Sequence, residues 1–139
     1  MTYGIKDYPL AEVHPDQVKG ARGKKLRDIT LDALLAGDVT IEDLRITPTA
    51  LESQASIARA AWRPRLADNF ERAAELVDVP QEVVMRSYEL LRPGRAKSRL
   101  ELLELAAEFR RSYKAERIAR FIEEAADVYE KRGLFSKRY

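Results

Sequence analysis

The sequence predicts an all-α protein: four main amphipathic helices with short helical turns, preceded by an extended N-terminal arm. Three observations carry this. Apolar residues from Leu51 onward recur at helical spacings, cap and stop residues punctuate the segments, and no stretch alternates apolar and polar residues as a half-buried strand would.

Residues 1–28 have no helical period. Tyr3, Gly4, Tyr8, Pro9, His14 and Pro15 interrupt any pattern, so an extended arm is expected there, followed by a helical domain over residues 29–139. Thr30 can cap a short helix over Leu31–Ala36, with Gly37 as its left-handed stop. Thr40 and Asp43 form a capping pattern for another short turn. Thr47 followed by Pro48 places a cap and a first-turn proline before a face made of Leu51, Ala55, Ala58, Ala61 and Trp62. Pro64 either kinks that helix or starts the next, whose face is Leu66, Phe70, Ala73, Ala74 and Val77. Pro80 opens a helix with Val84, Tyr88 and Leu91 inward, and Pro93-Gly94 ends it. Ser98 and Glu101 form a capping box before Leu102, Ala106, Phe109 and Tyr113. The last pattern is Ile118, Phe121, Ile122, Ala125, Val128 and Tyr129, with Gly133 as its left-handed stop and Lys131 and Arg132 near the helix C-terminus. Phe70 and Trp62 are expected in the core. Short connections favour antiparallel neighbours.

A chain of 139 residues is one domain's worth and buries a modest core. Charged residues make up 35%, above the usual share, which suits amphipathic helices. Cysteine is absent and His14 is the only histidine, which excludes disulfides, thiolate metal sites and histidine-pair metal centres within this sequence. No uncharged apolar run reaches the roughly 20 residues of a membrane span. Met1–Leu10 contains Lys6 and Asp7 and does not read as a signal peptide, so a cytoplasmic protein is expected. With 25 basic and 23 acidic residues, the net charge is only +2. The two basic runs, Lys19–Arg27 and Arg92–Arg99, read as solvated connectors, because no aromatic residues interleave with them for base stacking.

The search for chemistry is short. Lys19–Lys25 has two residues between its glycines and no Ser or Thr after its lysines, unlike a phosphate loop. His14 reads as a surface histidine with no recognisable partner for general-base work. Glu71 and Glu75, and Glu101, Glu104 and Glu108, share helix faces but lack the histidines of a di-metal site. They alternate with Arg65, Arg72, Arg99 and Arg111 and read as a salt-bridged surface. The residues themselves point to a helical module that binds something else.

One stretch says more. Leu44-Arg-Ile-Thr-Pro48 leads through Leu51 to Gln54-Ala-Ser-Ile-Ala58. Arg65-Leu-Ala67, Asn69-Phe-Glu-Arg-Ala-Ala-Glu-Leu76, Val79-Pro80 and Leu91-Arg-Pro93 follow in order. Asp7-Tyr-Pro-Leu10, His14-Pro15, Tyr113, Ala115, Glu124-Ala-Ala126 and Tyr129 extend the match to nearly the whole chain. This wording resembles the small subunits of adenosylcobalamin-dependent propanediol and glycerol dehydratases. It departs from them at Trp62-Arg-Pro64, where many relatives carry a small residue and a glycine, and at Gly94, where an aromatic is frequent.

The resemblance implies a heterohexamer with two copies each of large, medium and small subunits. The large subunit holds the diol and the catalytic residues, and adenosylcobalamin sits between the large and medium subunits. An adenosyl radical abstracts a substrate hydrogen, and hydroxyl migration and water loss give an aldehyde. For this chain the resemblance implies scaffold, with no catalytic, cofactor-binding or metal residue. Contacts to the large subunit are expected from the arm through Tyr3, Tyr8 and Leu10, and from the polar residues Arg45, Gln54, Asn69 and Arg92 inside or beside the matching motifs. A microcompartment-directing extension is not indicated by the few residues before Asp7. Two other readings are a helical adaptor without an enzyme partner and a nucleic-acid binder using the basic runs.

Overall fold

A computed structural model describes residues 2–135. They form helices and turns, with one isolated antiparallel bridge, Lys19 with Lys25, and no other β-pairing among the described residues. The α-helices are α1 (Leu10–Val13), α2 (Leu31–Leu35), α3 (Ile41–Leu44), α4 (Pro48–Ala60), α5 (Pro64–Leu76), α6 (Gln81–Leu91), α7 (Arg99–Tyr113) and α8 (Glu116–Lys131). Five of these are long, α4 to α8, where the sequence suggested four. Pro64 is the reason. Its ring would clash with the Ala60 carbonyl of a continuing helix, so α4 ends at Ala60 and Pro64 becomes the first residue of α5.

The backbone contacts divide the chain into two units, Met1–Val77 and Asp78–Tyr139. In the first unit α4 packs along α5. Ala55, Ala58 and Ala67 are buried at the contact with Phe70 packed against them, and such small residues let two helix backbones approach closely. Trp62 is not in this core. It occupies the left-handed position after α4, with φ of 59°, and is 89% exposed.

The first residues are not an extended arm. Ile5–Asp7, Pro15–Gln17 and Leu26–Asp28 are single 3-10 turns flanking α1. This segment has a core because it folds onto α4. Tyr3, Leu10 and Ile57 form a buried cluster with Val18 against it. Ser56 holds the backbone of Tyr3 in both directions: the Tyr3 N–H donates to its Oγ at 3.0 Å, and its hydroxyl donates to the Tyr3 carbonyl at 2.7 Å.

In the second unit, α7 and α8 pack closely around Leu102, Leu105, Ala106, Phe109, Ile118, Ala119, Ile122 and Ala126. They run antiparallel, as their ion pairs show. Arg99 at the start of α7 meets Asp127 near the end of α8 at 2.7 Å. Arg110 near the end of α7 meets Glu116 and Glu123, each at 2.7 Å. Helix α6 lies against α7 through Arg86 and Glu108 at 2.6 Å, and the Tyr129 hydroxyl donates to the Leu91 carbonyl. Two expected inward residues face out: Tyr88 and Phe121 are exposed. Ser87 is buried in place of Tyr88, its hydroxyl satisfied by the Val83 carbonyl at 2.6 Å.

Candidate subunit interface

The sequence-level cap signals create the local geometry of the first unit's surface. Thr30 accepts from the Ala33 N–H at 3.1 Å and starts α2. Gly37, with φ of 80°, stops it. Thr40 then starts α3, its N–H donating to Asp43 Oδ2 at 2.9 Å.

Asp43 is the buried charge of this region. Its Oδ1 lies 3.2 Å from Arg22 Nε. Arg22 also donates to the Asp38 carbonyl at 2.9 Å and to the Thr40 hydroxyl at 3.3 Å. One arginine therefore latches the hairpin of residues 19–25 onto the α2–α3 segment. A guanidinium suits this role, since it can pair its charge with the carboxylate while its N–H groups donate to a carbonyl and a hydroxyl.

That latch changes how the basic runs read. Lys25 and Arg27 both lie on Asp16, at 2.8 Å and 3.5 Å. In the second run, Arg92 pairs with Glu89 at 3.1 Å, and Arg99 is tied to α8. These cations have intramolecular partners, which leaves little of either run as a free phosphate-binding stripe. His14 also has a partner: its Nε2 lies 2.8 Å from Asp7 Oδ1, and its ring packs at 5.6 Å on Tyr3. That bond, with the Gly4 N–H, holds the Asp7 carboxyl below the usual carboxylate range.

Between the N-terminal turns and α4 runs a groove of about 860 Å³, lined in part by Tyr3, Tyr8, Val18, Gln54 and Phe70. The lining carries no cluster of titratable groups, and among the described residues no three His, Asp or Glu side chains gather to hold a metal. The groove offers apolar walls and backbone groups rather than acid–base chemistry.

The residues expected at an interface fall into three groups. Tyr3 and Leu10 are buried in the chain's own core. The intramolecular Ile57 surface, which no sequence period reveals, occupies them. Tyr8 is 62% exposed and edges the groove, while half-buried Gln54 lines it. Arg45, Asn69 and Arg92 are exposed and locally paired: Arg45 with Glu42 at 3.3 Å, Asn69 accepting from Arg72, and Arg92 with Glu89.

Sequence reasoning missed a larger feature. Leu31, Leu34 and Leu35 of α2, and Ile41 and Leu44 of α3, are exposed, as are the flanking Leu26 and Ile46. The spacing of Leu31, Leu34 and Leu35 is itself the signal, since it marks one helix face; the period does not say whether that face points in or out.

Comparison with known proteins places these features in context. A family model described as "Dehydratase small subunit" matches residues 3–136. The chain is 48% identical over 128 residues to the propanediol dehydratase small subunit of Salmonella typhimurium, covering 92% of this chain and 73% of that protein. It is 47% identical over 131 residues to the propanediol dehydratase small subunit of Citrobacter freundii, covering 94% and 76%.

Proposed function

The chain belongs to the dehydratase small-subunit family, and from that premise we propose that it is the non-catalytic helical subunit of a cytoplasmic diol or glycerol dehydratase. The holoenzyme converts 1,2-diols such as propane-1,2-diol or glycerol to aldehydes and water. Adenosylcobalamin, held by the large and medium subunits, supplies the radical chemistry. The assembly is a heterohexamer of two large, two medium and two small subunits.

The observation that carries this reading is the match along almost the whole chain to two propanediol dehydratase small subunits. The groove and the exposed apolar side chains of the first unit support a binding role, because they offer apolar area that a partner could cover. The task left to this chain is binding: it covers surface on the large subunit and fixes that subunit's outer geometry. Tyr8 is the best placed of the N-terminal residues to do so, since a tyrosine offers a large apolar ring with a polar tip. Gln54 beside it, with Arg45, Asn69 and Arg92, supplies polar contacts once local partners exchange. No helix among the described residues is long and apolar enough to cross a membrane.

Co-expression with the large and medium subunits tests the proposal. The chain is expected to co-purify with them, and aldehyde formation from propane-1,2-diol is expected to fall when it is omitted. A dehydratase that assembles and turns over equally well without it overturns the reading.

A further inference from the structure

Helices α2 and α3 are amphipathic in the wrong direction for a free-standing domain. No residue of α2 is buried, and the buried residue of α3 is Asp43, a charge. Seven large apolar side chains of this segment, Leu26, Leu31, Leu34, Leu35, Ile41, Leu44 and Ile46, are each between 47% and 77% exposed. An apolar helix stripe ordinarily faces a core. Together these side chains offer surface on the order of the roughly 800 Å² per partner that a stable interface buries.

The backbone beneath them is fixed. Thr30, Gly37 and the Thr40–Asp43 box define both helices. Val39 between them is buried, and Arg22 joins Asp38, Thr40 and Asp43. A surface whose backbone is already held loses less freedom on binding than a loop that must order.

The charges say what fits it. Asp28, Asp32 and Asp38 border the apolar residues and form no ion pair among the described residues, whereas Arg27 is engaged by Asp16 and Arg45 by Glu42. The border is therefore net acidic and calls for a basic rim on the partner.

We propose that α2 and α3 are the docking element that seats in an apolar groove rimmed by Lys or Arg on the large, catalytic dehydratase subunit. This rests on the small-subunit reading above and names the surface through which it acts. The mode is an amphipathic helix laid into a groove.

The test uses the full chain with its large and medium subunits. Hydrogen exchange is followed across residues 26–46 in the free chain and in the assembled enzyme, and binding to the large subunit is measured for wild type, for L31S/L35S, and for D28N/D32N/D38N. Thermal melting of each free chain controls for folding, and both variants change only exposed side chains. Protection of residues 26–46 only in the assembly is expected. The leucine variant should lose about tenfold or more in affinity, and the aspartate variant should bind more weakly with a shallower salt dependence. If wild type assembles but these residues stay unprotected and both variants bind normally, the docking element is wrong while the subunit reading stands. Protection by the medium subunit alone, or in the free chain by self-association, overturns the choice of occupant. Failure of the wild-type chain to join either subunit overturns both readings.

Discussion

Gly20 lies directly beneath the backbone of Asp43: a β-carbon built on Gly20 would stand 2.5 Å from the Asp43 carbonyl oxygen. The obstacle is backbone rather than a movable side chain, so any larger residue must push the hairpin away from α3. Arg22 would then be displaced from Asp43, leaving a buried carboxylate short of its cation. Gly20→Ala is expected to destabilise the chain by about 1–3 kcal/mol, the range for overpacking. Urea unfolding of the free chain measures this; an unchanged midpoint would show that the contact is looser than described.

Trp62 supplies the opposite case. It holds a left-handed conformation, which costs a residue with a β-carbon roughly 1–2 kcal/mol. At 89% exposure it recovers little by packing. Trp62→Gly is expected to raise the stability of the free chain by about 1 kcal/mol, seen as a higher melting temperature. A lower melting temperature would mean that the indole packs on the α4–α5 turn after all.

Acid should loosen the second unit through Arg110. Its hydrogen bond is the largest influence holding the carboxyls of Glu116 and Glu123 below the ordinary glutamate value of 4.5. Both groups therefore bind protons more readily in the unfolded chain. Their stabilisation is present above pH 4.5 and is lost as pH falls through the lower folded values. These side chains are substantially exposed, so salt should weaken the effect. Urea midpoints measured down through pH 3 are expected to fall less steeply for Arg110→Met than for wild type. Parallel slopes would remove Arg110 as the cause.

Phe109 tests the core of the same unit. It is 1% exposed within the α7–α8 contact, and Phe109→Ala is expected to cost about 3–5 kcal/mol. Phe70→Ala should cost less, about 1–3 kcal/mol, because Phe70 is only half-buried and its neighbours can close part of the gap. Equal losses at the two positions, measured by denaturant unfolding, would contradict this ranking.

The helix ends were legible in the sequence because capping is local chemistry. Thr30, Thr47 and Ser98 each accept the backbone N–H three residues on, and Gly37 and Gly133 take the left-handed stops. Glu101 departs slightly from its expected role, accepting from the Lys97 N–H rather than that of Ser98. Orientation was less legible. In α8 the apolar positions are broad enough to admit more than one inward stripe. The close approach through Ala106, Ala119 and Ala126, all at 0% exposure, leaves no depth for the Phe121 ring. For the same reason the interface could not be read from polar residues inside the family motifs. The exposed leucines of α2 use the spacing of core residues, and only the fold shows that nothing of their own unit covers them.

The two-way bond between Ser56 and Tyr3 also sets an order of events during synthesis. Tyr3 leaves the ribosome long before Ser56 and Ile57, the α4 residues that bind its backbone and cover its ring, have been made. The first segment must therefore wait, with Tyr3 and Leu10 uncovered, until α4 emerges. These residues are translated before α4 yet find their place only after it, and a nascent chain stalled before residue 56 presents them to chaperones and proteases.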